Sequence, residues 1–242
     1  MAPDPTPAPS VILEVEDLHA YIGQHHILQG VSLRARRDAV TVVLGRNGAG
    51  KTTTLRTIMG LLPPVRGAVR FEGRPIHGLP PYEIVRFGIG YVPEGQGIFA
   101  TLTVDENLRV AMLDDGREGR QRLAQIFALF PDLDRFRHAR AGTLSGGQKQ
   151  MLSIARAFVN RNRLLLIDEP SKGLAPIIVQ HLVAALREMK SQVTVILVEQ
   201  NFTMASALGD DFYLLDDGRT VQHGRMADLV HDHALKKRYL GV

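Results

Sequence analysis

Gly45-Arg-Asn-Gly-Ala-Gly-Lys51-Thr52 fits the pattern G-x-x-x-x-G-K-[ST]. The glycines let the backbone curl until its N–H groups converge on one phosphate. A helix opening at Lys51 would add the positive end of its dipole. In this pattern Lys51 reaches the β- and γ-phosphates and the Thr52 hydroxyl ligates Mg²⁺. Gly45, Asn47, Gly48, Ala49, Gly50 and Thr53 complete the expected cradle. A second group is Leu164-Leu-Leu-Ile-Asp168-Glu169-Pro170, an apolar run that ends in two carboxylates. Ligands of a parallel sheet gather at the carboxyl ends of its strands. Asp168 is therefore the expected Mg²⁺ carboxylate, acting through water. Glu169 is the expected base that orients and polarises an attacking water. A third segment, Leu144-Ser145-Gly146-Gly147-Gln148, carries Ser and Gln at capping-box spacing. Two adjacent glycines gain nothing as a cap. They make sense where bare N–H groups must approach a phosphate.

These groups need a frame. Val40–Leu44 is a β-branched run that reads as a buried strand before the glycine loop, and Lys51–Met59 reads as the helix after it. Short strands are expected at Ile12–Val15, Val31–Arg34, Gly67–Glu72 and Ile89–Val92, with a short helix opening at Pro80-Pro81 and ending at Gly88. From Thr103 to about Gly142 the periods are helical. Thr103–Glu106 forms a capping box, residues 116–119 read as a charged loop, and Arg122–Phe130 reads as a helix halted at Pro131. Then strands at Leu164–Ile167 and Val193–Val198 alternate with helices at Ile177–Lys190 and Phe202–Leu208. Asp217-Gly218 between Phe212–Leu215 and Thr220–Gln222 is a hairpin signal. This alternation predicts an α/β domain with a mostly parallel sheet, interrupted by a helical insert over about 95–158.

The composition fits that frame. The chain has 242 residues, 45% apolar and 22% charged, the balance of an ordinary globular protein. Its longest apolar runs fall far short of the ~20 residues of a membrane-spanning helix, so any membrane role is expected to come through partners. Residues 1–10 alternate with proline, which predicts an extended tail and lacks the basic start and apolar stretch of a signal peptide. The chain has no cysteine, which excludes disulfides and thiol chemistry. The net charge of +4 is scattered rather than gathered into an arm for nucleic acid.

Taken in order, the glycine loop, the Leu144–Gln148 pentapeptide and the Asp-Glu-Pro strand end resemble an ABC-type ATPase, over nearly the whole chain from Ile12 onward. The resemblance implies a P-loop NTPase core with an antiparallel β subdomain and a helical signature subdomain, spanning residues 11–242. It implies ATP and Mg²⁺ as ligands, with ATP sandwiched between two subunits so that Ser145, Gly146, Gly147 and Gln148 of one reach the γ-phosphate held by the other. It gives Tyr21 the role of an aromatic that stacks on adenine. Three positions depart from the usual pattern. Glu94 stands where Gln is common and could still ligate Mg²⁺; Gln200 stands where a His γ-phosphate switch is common; Ala175 stands where Asp is usual. Gln200 can hydrogen-bond a phosphate but cannot carry a proton to it. Pro93-Glu94-Gly95, Gly173-Leu-Ala-Pro176 and Val198-Glu-Gln-Asn201 together resemble one ATPase subunit of the branched-chain amino acid importers, with urea and amide importers close by. That resemblance implies a second, different ATPase subunit, transmembrane permease subunits docked near Thr101–Leu113, a substrate-binding protein acting indirectly, and a place on the cytoplasmic face of the membrane. A regulatory binder that seldom hydrolyses ATP and a soluble ATPase acting on nucleic acid are the rival classes; Glu169 argues against the first, and the single cassette against the second.

Overall fold

The computed structural model describes residues 10–114 and 116–241. The tail expected at residues 1–10 lies outside them except for Ser10. The chain opens on a long hairpin, β1 (Val11–Ile22) and β2 (His25–Arg36). Both strands run well beyond the short segments expected from apolar alternation, because bulges break the alternation at Leu18 and again at Ile27. Gly23, at φ 59°, supplies the positive φ of the two-residue turn between them. β3 (Val40–Leu44) is buried along its whole length and leads through the glycine loop into α1 (Lys51–Ile58). β4 (Arg66–Phe71) and a two-residue β5 (Arg74–Pro75) follow, then α2 (Pro81–Arg86) and β6 (Ile89–Val92).

Next comes the helical stretch: α3 (Val104–Ala111), α4 (Arg117–Leu129), α5 (Pro131–Arg135) and α6 (Gly146–Phe158). Two expectations need correcting here. The segment at 116–119 is the first turn of α4 rather than a loop. Pro131 does not simply stop a helix but opens α5 at its first position, where its missing N–H costs nothing. Both expected capping boxes form. Thr103 Oγ1 accepts from Glu106 N at 3.2 Å, and Ser145 Oγ accepts from Gln148 N at 3.3 Å.

The chain then alternates through β7 (Leu164–Asp168), α7 (Pro176–Met189), β8 (Thr194–Glu199), α8 (Phe202–Leu208), β9 (Asp211–Asp216) and β10 (Arg219–Arg225). It ends in α9 (Met226–His231), α10 (His233–Leu235) and a π-turn at Lys236–Leu240, which no sequence signal announced. Asp217 and Gly218 both take positive φ, the signature of the expected two-residue hairpin.

The strands form two sheets. The first is antiparallel, in the order β2-β1-β4-β5. The second, β10-β9-β3-β8-β7-β6, is parallel except for its β9–β10 edge. Strands covered on both faces read as continuous apolar runs, as β7 and β8 do. One buried cluster fills the space between the two sheets through residues such as Leu18, Leu28, Leu55 and Leu166. A second lies on the other face of the parallel sheet and joins it to the helices, through Leu108, Leu152, Leu165 and Leu197. The glycine loop and the carboxylates thus both emerge at the carboxyl ends of buried parallel strands, β3 and β7, with only β8 between them.

Candidate functional site

The loop between β3 and α1 is shaped by glycine for three different reasons. Gly45 has φ 156°, and a Cβ there would fall 2.3 Å from the Leu215 carbonyl oxygen. At Gly50, φ 98°, a Cβ would meet Leu28 Cδ2 at 2.9 Å. Gly48, φ 84°, faces open space, so its need is conformational alone. No side chain caps α1 and no acid stands in its first turn. Its leading N–H groups are left for an anion, and the helix dipole favours one. Gly218 of the β9–β10 turn ties the loop down: its N–H donates to Ala49 O at 3.2 Å and its carbonyl accepts from Gln29 N at 2.8 Å.

Across the loop stands the carboxylate pair. The Lys51 side chain is buried, and its Nζ donates to Gly45 O at 2.9 Å and Arg46 O at 3.1 Å. The same Nζ lies 3.2 Å from Glu169 Oε1. Thr52 Oγ1 donates to Asp168 Oδ1 at 2.9 Å, and the Tyr91 hydroxyl to Asp168 Oδ2 at 3.4 Å. Burial, helped by the neighbouring Glu169 and Glu94 charges, pushes the Asp168 carboxyl up to about 6. Burial and the Asp168 charge likewise push the Tyr91 phenol well above its ordinary value. Glu169 holds φ 44°, a left-handed conformation unusual for a side chain of its size and costly unless its surroundings enforce it. Glu94 meets Lys172 Nζ at 2.6 Å, and Lys172 lies 3.7 Å from Glu169.

The residues fit a magnesium ion. Among the described residues no cluster of three or more His, Asp or Glu side chains could cage a metal. Mg²⁺ seldom needs one, since it keeps several waters and takes one or two protein oxygens plus phosphate. Asp168 is fully buried, carries a raised pKa, and sits 2.9 Å from a hydroxyl that is itself a hard oxygen donor.

The structure gathers some of the expected site residues and separates others. Asn47, Gly48, Gly50, Lys51, Thr52 and Thr53 line one cleft of about 370 Å³ with Glu94 and Glu169. Gly45 and Ala49 belong to the loop but not to this lining, and Asp168 meets the cleft through its bond to Thr52. Ser145–Gln148 opens α6 outside this lining, with the Gly146 carbonyl accepting from Gln96 Nε2 at 3.3 Å. Gln200 is exposed and also outside it; its N–H donates to Glu199 Oε2 at 3.1 Å. Tyr21 does not line the cleft. Strand alternation turns it away, and its ring stacks on His26 at 4.4 Å and 3°. The neighbouring Ile22 lines the cleft in its place, together with Ile27.

Lys172 and Glu199 also stand at the site, although the sequence alone does not single them out. Glu199 is 1% exposed, and its carboxylate accepts from Ser171 N and Oγ at 3.0 and 2.9 Å and from Gln200 N and Asn201 N at 3.1 and 3.0 Å. Burial raises its pKa. An acid at the end of an otherwise apolar strand was the available signal.

The comparisons with known proteins agree with this geometry. The profile described as ABC transporter matches residues 28–172, a span that holds the glycine loop, the Ser145–Gln148 segment and both carboxylates. The chain is 39% identical to the high-affinity branched-chain amino acid transport ATP-binding protein BraG of Pseudomonas aeruginosa, over 95% of this chain and 100% of that protein. It is 35% identical to the probable branched-chain amino acid transport ATP-binding protein LivF of Archaeoglobus fulgidus, over 96% and 99%. It is also 30% identical to BraF, a second branched-chain amino acid transport ATP-binding protein of P. aeruginosa, over 95% and 98%. Among solved structures, a nucleotide-free ATP-binding cassette from an ABC transporter superposes with a TM-score of 0.82 at 26% identity, covering 93% of this chain and 96% of that one. The chain belongs to the ABC transporter family, as an ATP-binding cassette.

Proposed function

We propose that this chain binds and hydrolyses MgATP as the motor subunit of an importer for branched-chain or other hydrophobic amino acids. The observation that carries the reading is the meeting of Lys51 and Thr52, at the start of α1, with Asp168 and Glu169, at the end of β7, more than a hundred residues later in the chain. In this reading the loop N–H groups and Lys51 hold the β- and γ-phosphates. Thr52 and Asp168 would hold Mg²⁺, with Glu94 near enough to contribute, and the ion would supply charge neutralisation of the triphosphate. Glu169 accepts the proton of the attacking water, and its fixed backbone keeps the carboxylate aimed at the cleft. Positioning and charge stabilisation carry the rate, because phosphoryl transfer leaves little covalent work to a protein.

The separation of Ser145–Gln148 from the phosphate loop supports a two-cassette site in which each chain completes the other's cleft. Losing the γ-phosphate removes the bridging contacts and lets the pair open. The likeness to both BraG and BraF, two ATP-binding proteins of one organism, supports a different cassette as the partner. The exposed Val110 and Leu113, at the end of α3 and just beyond it, support a permease contact around Thr101–Leu113. Among the described residues no helix is long and apolar enough to cross a membrane, and permease docking would hold the chain at the cytoplasmic face.

The test is Mg²⁺-dependent binding of a fluorescent ATP analogue to the purified chain, then phosphate release from the chain co-expressed with its permease and partner-cassette subunits. Lys51→Ala should weaken binding at least tenfold and abolish release. Equal binding by Lys51→Ala would remove the cleft from the mechanism. Transport of branched-chain amino acids into proteoliposomes holding the complex tests the cargo, and transport of urea or amides alone would overturn that part.

A further inference from the structure

The base end of the nucleotide cleft is built unlike its phosphate end. The polar lining belongs to the phosphate loop, to α1, or to the wall formed by Glu94, Glu169 and Lys172. The β1–β2 hairpin contributes only Ile22 and Ile27. Neither side chain can donate or accept a hydrogen bond, and neither has a π face. Ile22 is 44% exposed, so it is a surface platform rather than a core residue.

The backbone fixes this choice. Ala20 pairs with Leu28, but Tyr21 pairs with His26, so Ile27 is the extra residue of a β-bulge. Bulges of this kind re-aim a side chain, here toward the cleft. Strand alternation puts Ile22 on the same face as buried Ala20 and Tyr21 on the opposite one. Exchanging Tyr21 for Ile22 would need a one-residue slip of β1, which would also turn its core residues outward. Tyr21 is further held where it is. Its ring lies on His26, whose Nε2 is 3.1 Å from His19 Nδ1; His19 Nε2 is 3.0 Å from Asp17 Oδ1, and Asp17 pairs with Arg66 at 2.7 Å.

We propose that the nucleoside base is held by an aliphatic clamp of Ile22 and Ile27, so that this cassette selects the triphosphate and hardly reads the base. The inference rests on the nucleotide-binding function proposed above. Aromatic stacking on a base is worth a factor of about 5 to 100 in affinity. A chain without that contact, and without a polar group at the base edge, takes ATP, GTP and CTP with similar strength.

Competition binding on the full chain with Mg²⁺ tests this, using ATP, GTP, CTP and inorganic tripolyphosphate as probes. The three nucleotides should fall within about threefold of one another. Ile22→Tyr should tighten ATP and GTP by about fivefold or more and leave tripolyphosphate unchanged. A preference for ATP over GTP and CTP above tenfold in the natural chain would overturn the proposal. So would a loss of ATP affinity in Tyr21→Ala with tripolyphosphate binding intact, which would return the base to Tyr21. If none of the four probes binds, the nucleotide reading itself falls, and that result is distinct from base-selective binding.

Discussion

The Thr52 hydroxyl donates to Asp168 Oδ1 across 2.9 Å, joining the first turn of α1 to the end of β7. Among the described residues this is the one hydrogen bond to Asp168 Oδ1, on a carboxylate with no solvent exposure, and burial leaves its pKa near 6, above the ordinary 3.8. A folded value raised in this way favours the protonated acid. Its contribution to stability is complete below about pH 3.8 and is lost as the pH rises through about 6. Above that the fold carries an ionised, buried acid kept for function.

Asp168→Asn should therefore stabilise the chain near neutral pH, by about 1–2 kcal/mol after allowance for local screening, or roughly 3–6 °C in Tm. The gain should be small near pH 4 and grow to its full size by pH 7. Thermal melts without nucleotide or Mg²⁺ measure it, and a Tm difference constant across that range would refute the assignment. The same variant should lose Mg²⁺-dependent nucleotide binding.

The two glycines of the Ser145–Gln148 segment separate by what surrounds them. A Cβ on Gly147 would meet Ile178 Cγ2 at 2.5 Å, whereas one on Gly146 would meet nothing within 4 Å. The sequence alone points both glycines at a phosphate, but in the fold Gly147 is already explained by the packing of α6 on α7. Gly147→Ala should cost about 1–3 kcal/mol, the usual cost of overpacking. Gly146→Ala should leave the denaturation midpoint nearly unchanged while impairing ATP-driven association of two cassettes. The pairing reading of this segment fails if Gly146→Ala associates normally, measured by light scattering with the co-expressed partner.

The contrast between these glycines shows where sequence was legible. The phosphate loop, Asp168 and Glu169 could be found because each is a local pattern set against a buried apolar strand, and strand polarity then dictates where they meet. Asp217-Gly218 was legible for the same reason, since two residues suffice to specify its turn. Tyr21 was not, because the face of a strand depends on register, and the bulge at Ile27 shifts that register without any glycine or proline to mark it. The contact of Gly147 with Ile178 was hidden because it joins helices some thirty residues apart. The Glu199–Ser171 bond was hidden in the same way.

Glu199 carries the third prediction. Its carboxylate accepts four hydrogen bonds, two of them from Ser171, and so fastens the end of β8 to the turn after Glu169. Glu199→Gln keeps the shape but turns an amide N–H₂ toward N–H donors. The loss should be about 2–4 kcal/mol, larger than the ~1 kcal/mol expected for Ser171→Ala, which removes only the hydroxyl. Chemical denaturation of both variants gives the comparison, and equal losses would mean that the backbone donors contribute nothing.

Glu169 is the last and most direct case. Its carboxylate lies 3.2 Å from Lys51 and 3.7 Å from Lys172, on a backbone held at φ 44°. Glutamine can occupy the same backbone and fill the same space, so Glu169→Gln isolates the charge and the basicity. Removing a negative charge from a cleft built for a polyanion should keep ATP affinity within a few-fold or tighten it. Removing the base should lower single-turnover hydrolysis by about 100-fold or more. With binding preserved and turnover blocked, the two-cassette complex should accumulate in its closed form with ATP, visible as a nucleotide-dependent shift in gel filtration of the assembled subunits. Unchanged phosphate release in Glu169→Gln would leave the water to be activated by the substrate itself, and would reduce Glu169 to a counter-charge for Lys51.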